Sequence, residues 1–233
     1  MEIYIGTSGW YYNWNKDKTL DWYVANTGFN IIELNASFYR FPFPNQIKSW
    51  AKKSKNLRWI VKVNRIITHL YRFNKNAILT FKKFIKLFEP LNDFIDFYLF
   101  QLPPSFKTNK NIILKNFLSK IKRIKNIKNK ILIEYRNKEW FSEEWVKWTE
   151  NLNCIFVSVD SPMFSPFIAK TKDIIYLRMH GRQNWYAYNY KENELSEIKN
   201  KIVKLEPKKF YILFNNDEMF KNGKQMKEIM EKK

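Results

Sequence analysis

One cysteine, Cys154, is all this sequence has, and a lone thiol closes no intramolecular disulfide and builds no cysteine-based zinc site. It lies in the apolar run CIFVSV, which reads as a buried thiol kept in a reducing, cytoplasmic setting. A secretory signal is missing too: the first residues, MEIYIGTSGW, alternate like a strand and lack a basic segment followed by a long apolar run. Apolar stretches such as 95–102 fall far short of the roughly 20 residues that cross a bilayer, so a soluble protein with no membrane partner is expected. No Pro, Gly or Ser-rich linker divides the 233 residues, and a single domain over 1–233 follows. Gly6-Thr7-Ser8-Gly9 is too short for a P-loop, and there is no G-x-G-x-x-G, no H-E-x-x-H and no G-x-S-x-G around Ser8. These gaps remove the common nucleotide-fold, zinc-protease and serine-hydrolase readings.

What is present is apolar and basic. Hydrophobic residues make up 45% and aromatics 18%, including nine Trp and twenty Phe, which is incompatible with disorder of the whole chain. A formal charge of +20 attracts nucleic acids and anionic metabolites. The lysines are spread through 107–130 and 199–233 among many Asn and Ile, so compositional bias competes with a designed patch.

Eight short apolar runs recur from end to end: 3–8, 30–35, 57–64, 95–102, 130–136, 154–160, 174–180 and 210–217. Segments 20–27, 44–53, 78–88, 111–124, 142–151 and 194–204 carry apolar residues at helical spacing, with Ser142 as a cap before Glu143-Glu144. The stretch SPMFSPFIAKTKD holds two prolines and reads as an irregular loop or a short turn of helix. Strand and helix in alternation imply parallel pairing, and eight such units imply an α/β fold, a closed (β/α)₈ TIM-barrel-like domain. An open doubly wound sheet is the alternative.

Residues two apart in a strand share a side. Applied to the run ends, this pairs Glu33 with Asn35, Lys62 with Asn64, Glu134 with Arg136, Ser158 with Asp160, Arg178 with His180 and Asn215 with Asp217, while Gln101 ends the fourth run and Ser8 with Trp10 the first. In a barrel these ends converge on one mouth, where active sites of this fold lie. Each alone is as readily a structural ion pair. Burying so many unpaired charges is costly, so their recurrence points to a solvated pocket holding a ligand.

The motifs IGTSGW (5–10), IIELNASFYRFP (31–42), WIVKVNRIITH (59–69), LFQLPPSF (99–106), IEYRNKEWF (133–141), YLRMHGRQNWY (176–186) and FNND (214–217) resemble those of the YecE-like family, domain of unknown function 72. The resemblance covers nearly the whole chain in order. It implies a TIM-barrel-like fold and no particular reaction. Two departures are Trp14-Asn15, where related sequences often carry Gly after the second Trp, and the proline-containing stretch after the sixth run.

Glu33, Glu134, Asp160 and His180 are the candidate proton-transfer groups, since imidazole titrates near neutrality and carboxylates do so when their environments split their pKa values. Lys62, Arg136 and Arg178 suit an anionic ligand, with the planar Arg forks matched to phosphate or carboxylate. Asn35, Gln101, Asn215, Asn216 and Asp217 are expected to orient that ligand. His69, in RIITHLYRF, closes over the pocket, caps a helix or lies on the surface. Among the aromatics after strands one, two and seven, Trp10, Tyr39, Trp185 and Tyr186 supply stacking surfaces for bases or sugars, or else pack the rim. A divalent metal has enough donors in number, but the three cations oppose it, and the cofactor stays unassigned. The expectation is an enzyme acting on a phosphate-containing substrate, with phosphodiester hydrolysis in nucleic acid as its concrete form. The alternatives are a non-catalytic nucleic-acid-binding protein and a lyase or isomerase of a sugar or carboxylate. Oligomeric state is left open.

Overall fold

Parallel strands buried on both faces read as unbroken apolar runs, and the computed structural model, which describes residues 1–232, shows them as such. The strands are β1 (Glu2–Thr7), β2 (Ile31–Leu34), β3 (Arg58–Lys62), β4 (Ile95–Gln101), β5 (Ile131–Glu134), β6 (Ile155–Ser161), β7 (Phe164–Phe167), β8 (Ile174–Met179) and β9 (Lys209–Phe214). The helices are α1 (Leu20–Asn26), α2 (Ala36–Tyr39), α3 (Pro44–Lys53), α4 (Lys75–Leu87), α5 (Asn111–Ile121), α6 (Glu143–Asn151), α7 (Glu192–Leu205) and α8 (Met219–Glu231). Strand order is β5-β4-β3-β2-β1-β9-β8-β6-β7 with β5 also paired to β6, the strand circuit of an α/β, TIM-barrel-like (β/α)₈ fold. No helix among the described residues is long and apolar enough to cross a membrane.

By density of contacts the chain divides into two compact units. The first comprises Met1–Glu33 and the chain from Phe156 onward. Here β1, β9 and β8 run parallel in continuous register, and β6 joins β8. β1 also meets the start of β2, where a Cβ on Gly6 would lie 1.9 Å from the Ile31 carbonyl oxygen, so only glycine permits the approach. The proline-containing stretch is not the irregular loop or helical turn expected. It forms β7, an antiparallel partner of β6 at the end of the strand order, where Pro166 removes no donor that a further strand needs. α8 was not anticipated either. Its Lys and Glu residues mask a sparse buried stripe of Met219, Met226 and Ile229, and Gly223 abuts the Phe29 ring.

The second unit is Leu34–Ile155, in which β3, β4 and β5 run parallel. Its core is aromatic: Phe81 of α4 lies 5.2 Å from Phe100 of β4 and 6.3 Å from Phe117 of α5, ring to ring. Asn74 caps α4 by accepting from the Asn76 and Ala77 amides. Ser142 occupies the corresponding place before α6 but makes no side-chain cap bond, so that expected cap is present in position only.

Candidate functional site

The charged strand ends resolve into two chemically different groupings, one in each unit. In the first unit Glu33, at the end of β2, is fully buried against Arg178 of β8, which is also fully buried. Arg178 Nη2 donates to Glu33 Oε1 at 2.5 Å and Nε to Oε2 at 2.9 Å, a two-pronged charge-assisted pair. Ser8 Oγ donates to Oε1 at 2.7 Å and Tyr176 Oη to Oε2 at 2.8 Å. Four donors fill the acceptor sites of one carboxylate, which leaves Glu33 no ready lone pair for a substrate proton.

Arg178 Nη1 also lies 3.3 Å from His180 Nε2. Asn215 Nδ2 lies 3.1 Å from Nδ1, so an N–H donor stands at each ring nitrogen, and a neutral imidazole can accept from only one of them. His180 is fully buried, with Trp185 at 5.3 Å and Tyr186 at 6.0 Å. These aromatics arrive on a loop that starts at Gly181, whose φ of +100° and close neighbours Asn184 and Tyr188 admit no Cβ. Tyr186, itself at φ +68°, returns its amide to the His180 carbonyl at 2.8 Å.

Asp160, at the end of β6, takes a separate partner: Arg182 Nε donates to its Oδ2 at 2.9 Å, and Arg182 also reaches Glu194 and Glu197. Burial raises the Asp160 carboxyl above the ordinary aspartate range although Arg182 pulls the other way. Asn216 is buried in a structural net with Tyr188 and Asn222, Asp217 is exposed, and Trp10 is half-buried with its carbonyl held by Asn15.

The second unit collects the other candidates. Glu134 is fully buried, 2.5 Å from Arg136 Nη2, and accepts from Gln101 Nε2 at 2.9 Å. Lys62, at the end of β3, is nearly buried with its ammonium 4.3 Å above the Phe38 ring. Ser37 ties the backbone there, donating to the Leu34 and Lys62 carbonyls. His69 stands edge-on to Phe38 at 5.2 Å, its Nδ1 2.8 Å from Thr68 Oγ1, on a single π-helical turn over Ile66–Leu70. Such turns recur at functional sites, and Arg72 and Phe73 follow in left-handed conformations unusual for their side chains. His69 is pushed down to about 4, first by burial and then by Lys62, Arg65, Arg136 and Arg72. Asn35 precedes α2 half-exposed, and Tyr39 is 70% exposed.

The expected solvated pocket of unpaired charges therefore needs correction. Glu33, Glu134, Asp160 and Arg178 are buried and ion-paired, because each acid has a guanidinium within reach. Tyr176, Arg182, Arg65 and Arg72 were missed. Tyr176 carried a usable signal, standing two residues before Arg178 on the same strand face. Among the described residues no three His, Cys, Asp or Glu side chains gather as a metal-ligand set.

Residues 4–233 match the model of a family described as protein of unknown function DUF72. The chain belongs to the DUF72 family. A solved DUF72 family protein of Thermotoga maritima is similar over 100% of both chains at 27% identity, with a TM-score of 0.82. Another, from Enterococcus faecalis, has 21% identity over 98% of this chain and 97% of its own, TM-score 0.80, a likeness of fold. No curated protein matches. The family thus fixes the architecture and leaves the reaction to be argued from the residues.

Proposed function

We propose that this DUF72 protein is an enzyme acting on a phosphate-containing anion held at the cationic grouping of the second unit. The observation that carries the reading is the Lys62 ammonium and the half-buried His69 imidazole meeting at one ring, Phe38, with the imidazole pushed down to about 4 by burial and then by Lys62, Arg65, Arg136 and Arg72. Like charges are gathered in this way at a cost, and an anion among them offsets that cost. Arg136 is paired with Glu134, which orients its fork.

In the concrete version, hydrolysis of a phosphate ester, water oxygen attacks phosphorus and the ester oxygen departs. The cations stabilise the charge spread over the phosphoryl oxygens. His69 is neutral at pH 7 and, with the anion bound nearby, accepts the proton of the attacking water and returns it to the departing ester oxygen. Glu33, Arg178 and His180 of the first unit act as a buried positioning group in this reading and not as the proton-transfer groups.

The test is turnover of mono- and diester phosphates, with and without divalent metal, beside calorimetric binding of inorganic phosphate. Lys62→Ala is expected to weaken phosphate binding, and His69→Ala to lower turnover by roughly 10²–10⁴-fold with binding retained. Wild-type protein that binds phosphate but turns over no ester would favour a second reading, a non-catalytic nucleic-acid-binding protein. That reading draws support from the burial of Glu33, Asp160 and Glu134 and from a shallow depression of about 410 Å³ whose lining carries three lysines, Lys48, Lys83 and Lys86, against one acid, Glu89. Absence of phosphate binding would end the assignment of the cluster.

A further inference from the structure

The aromatics of the chain differ sharply in what they do. Trp14 is packed among Trp22, Tyr23 and Phe220, with its ring stacked at 5.2 Å on Phe220. Trp140 is fully buried against Tyr135, Trp145 and Trp148. Tyr39 does neither. It closes α2 with 70% of its surface exposed, and it meets Phe38 at 5.1 Å with the rings perpendicular, so the pair does not stack and most of the Tyr39 ring faces water. The same Phe38 carries the Lys62 ammonium and abuts His69. One ring thus separates an exposed aromatic from the cationic grouping. Arg40 and Leu70, both exposed, flank these contacts in sequence.

An exposed π-face one side chain away from the Lys62 ammonium and the His69 imidazole is the pairing that nucleotides require, a base to stack and a charge to neutralise. We infer that the ligand is a nucleotide whose base stacks on Tyr39 while its phosphate sits beside Lys62 and His69. The inference rests on the phosphate reading above and adds the base. It covers a free nucleotide and the phosphorylated end of a single strand, which share this chemistry. A sugar phosphate has the charge but no π-system, and it gains nothing from Tyr39.

Calorimetry with four probes tests the assignment: adenosine, ribose 5-phosphate, adenosine 5′-monophosphate and a 5′-phosphorylated tetranucleotide. The monophosphate is expected to bind roughly 5- to 100-fold more tightly than ribose 5-phosphate, the range that stacking of one base supplies. Tyr39→Ala is expected to abolish that advantage and to leave ribose 5-phosphate unchanged, whereas Tyr39→Phe keeps it. Equal affinity for the two phosphates, or equal losses for both in Tyr39→Ala, would overturn the base subsite and leave the phosphate reading intact. Adenosine binding as tightly as its monophosphate would instead remove the phosphate from the cluster. The tetranucleotide assigns the source, since tighter binding than the monophosphate indicates a strand end and equal binding a free nucleotide.

Discussion

Glu33 with Arg178 in the first unit and Lys62 with His69 in the second begin from the same sequence signal, a charged residue closing an apolar strand. They end in opposite physical states. Around Glu33 the charges are matched: one carboxylate, one guanidinium, two hydroxyl donors, and no exposed surface on either ion. Around His69 four cations bear on a half-buried imidazole, and one of them, Arg136, is paired with Glu134. A matched, dry pair is a finished structure. A cation-rich, partly wet grouping is where the proposed anion is placed, and the contrast in wetness distinguishes the two groupings better than the presence of charge does.

The largest effect that breaks or sharpens this contrast is on stability. Arg178→Met removes one member of the buried pair and strands Glu33, so it is expected to cost about 3–5 kcal/mol of unfolding free energy. Lys62→Met removes one of several like charges and is expected to cost much less. Urea unfolding of both variants checks the contrast. Comparable losses would mean that Lys62 too is part of a matched structural net.

Next in size is the loop that seals His180. Gly181→Ala places a methyl 2.6 Å from the Asn184 carbonyl oxygen and from Tyr188 Cβ at a φ of +100°. About 1–3 kcal/mol is expected, together with a shift in fluorescence as Trp185 leaves its place beside the imidazole. Phosphate affinity of the second-unit cluster is expected to stay unchanged. A parallel fall in phosphate affinity would show that the two groupings are not energetically separate.

The fold was legible because β2, β5 and β6 are buried on both faces and spell themselves as apolar runs, while α3, with Pro44 in its first turn, could be bounded from sequence. The candidate site was legible only as a set of names. Parity along a strand says that Arg178 and His180 share a side. It does not say that Glu33 will take up both edges of the guanidinium, because that depends on which acid the crossovers deliver. For the same reason Asp160 was grouped with Arg178 although its partner is Arg182, four residues further on and beyond the end of β8. His69 was under-read since its setting comes from a π-helical turn, which has no simple residue spacing, and from four cations scattered between 62 and 136. β7 was hidden by two prolines, a fair warning against a central strand but not against one at the end of a sheet order.

The smallest expected effect is a pH slope in which the two units work against each other. His69 has its folded value lowered to about 4 from an ordinary 6.5, so below pH 6.5 the unfolded chain takes up this proton more readily than the folded one. Stability from His69 is therefore complete above about pH 6.5 and is lost as pH falls towards 4. Asp160 is shifted the other way: its folded carboxyl holds a proton at pH values where the unfolded one, ordinarily near 3.8, has released it. Stability from Asp160 is present at low pH and is lost as pH rises from about that value through the raised folded one. Acidification from pH 6.5 thus weakens the fold through the second unit and strengthens it through the first, so the two contributions to the wild-type slope have opposite signs. Replacing each group by a shape-mimic without its titration separates them. Urea midpoints measured from pH 4 to 7 are expected to fall less steeply on acidification in His69→Gln than in wild type, and more steeply in Asp160→Asn. A His69→Gln profile that overlays the wild type would show that neither burial nor the surrounding cations suppress protonation of this imidazole, and would remove the cationic field on which the proposed role of the second unit rests.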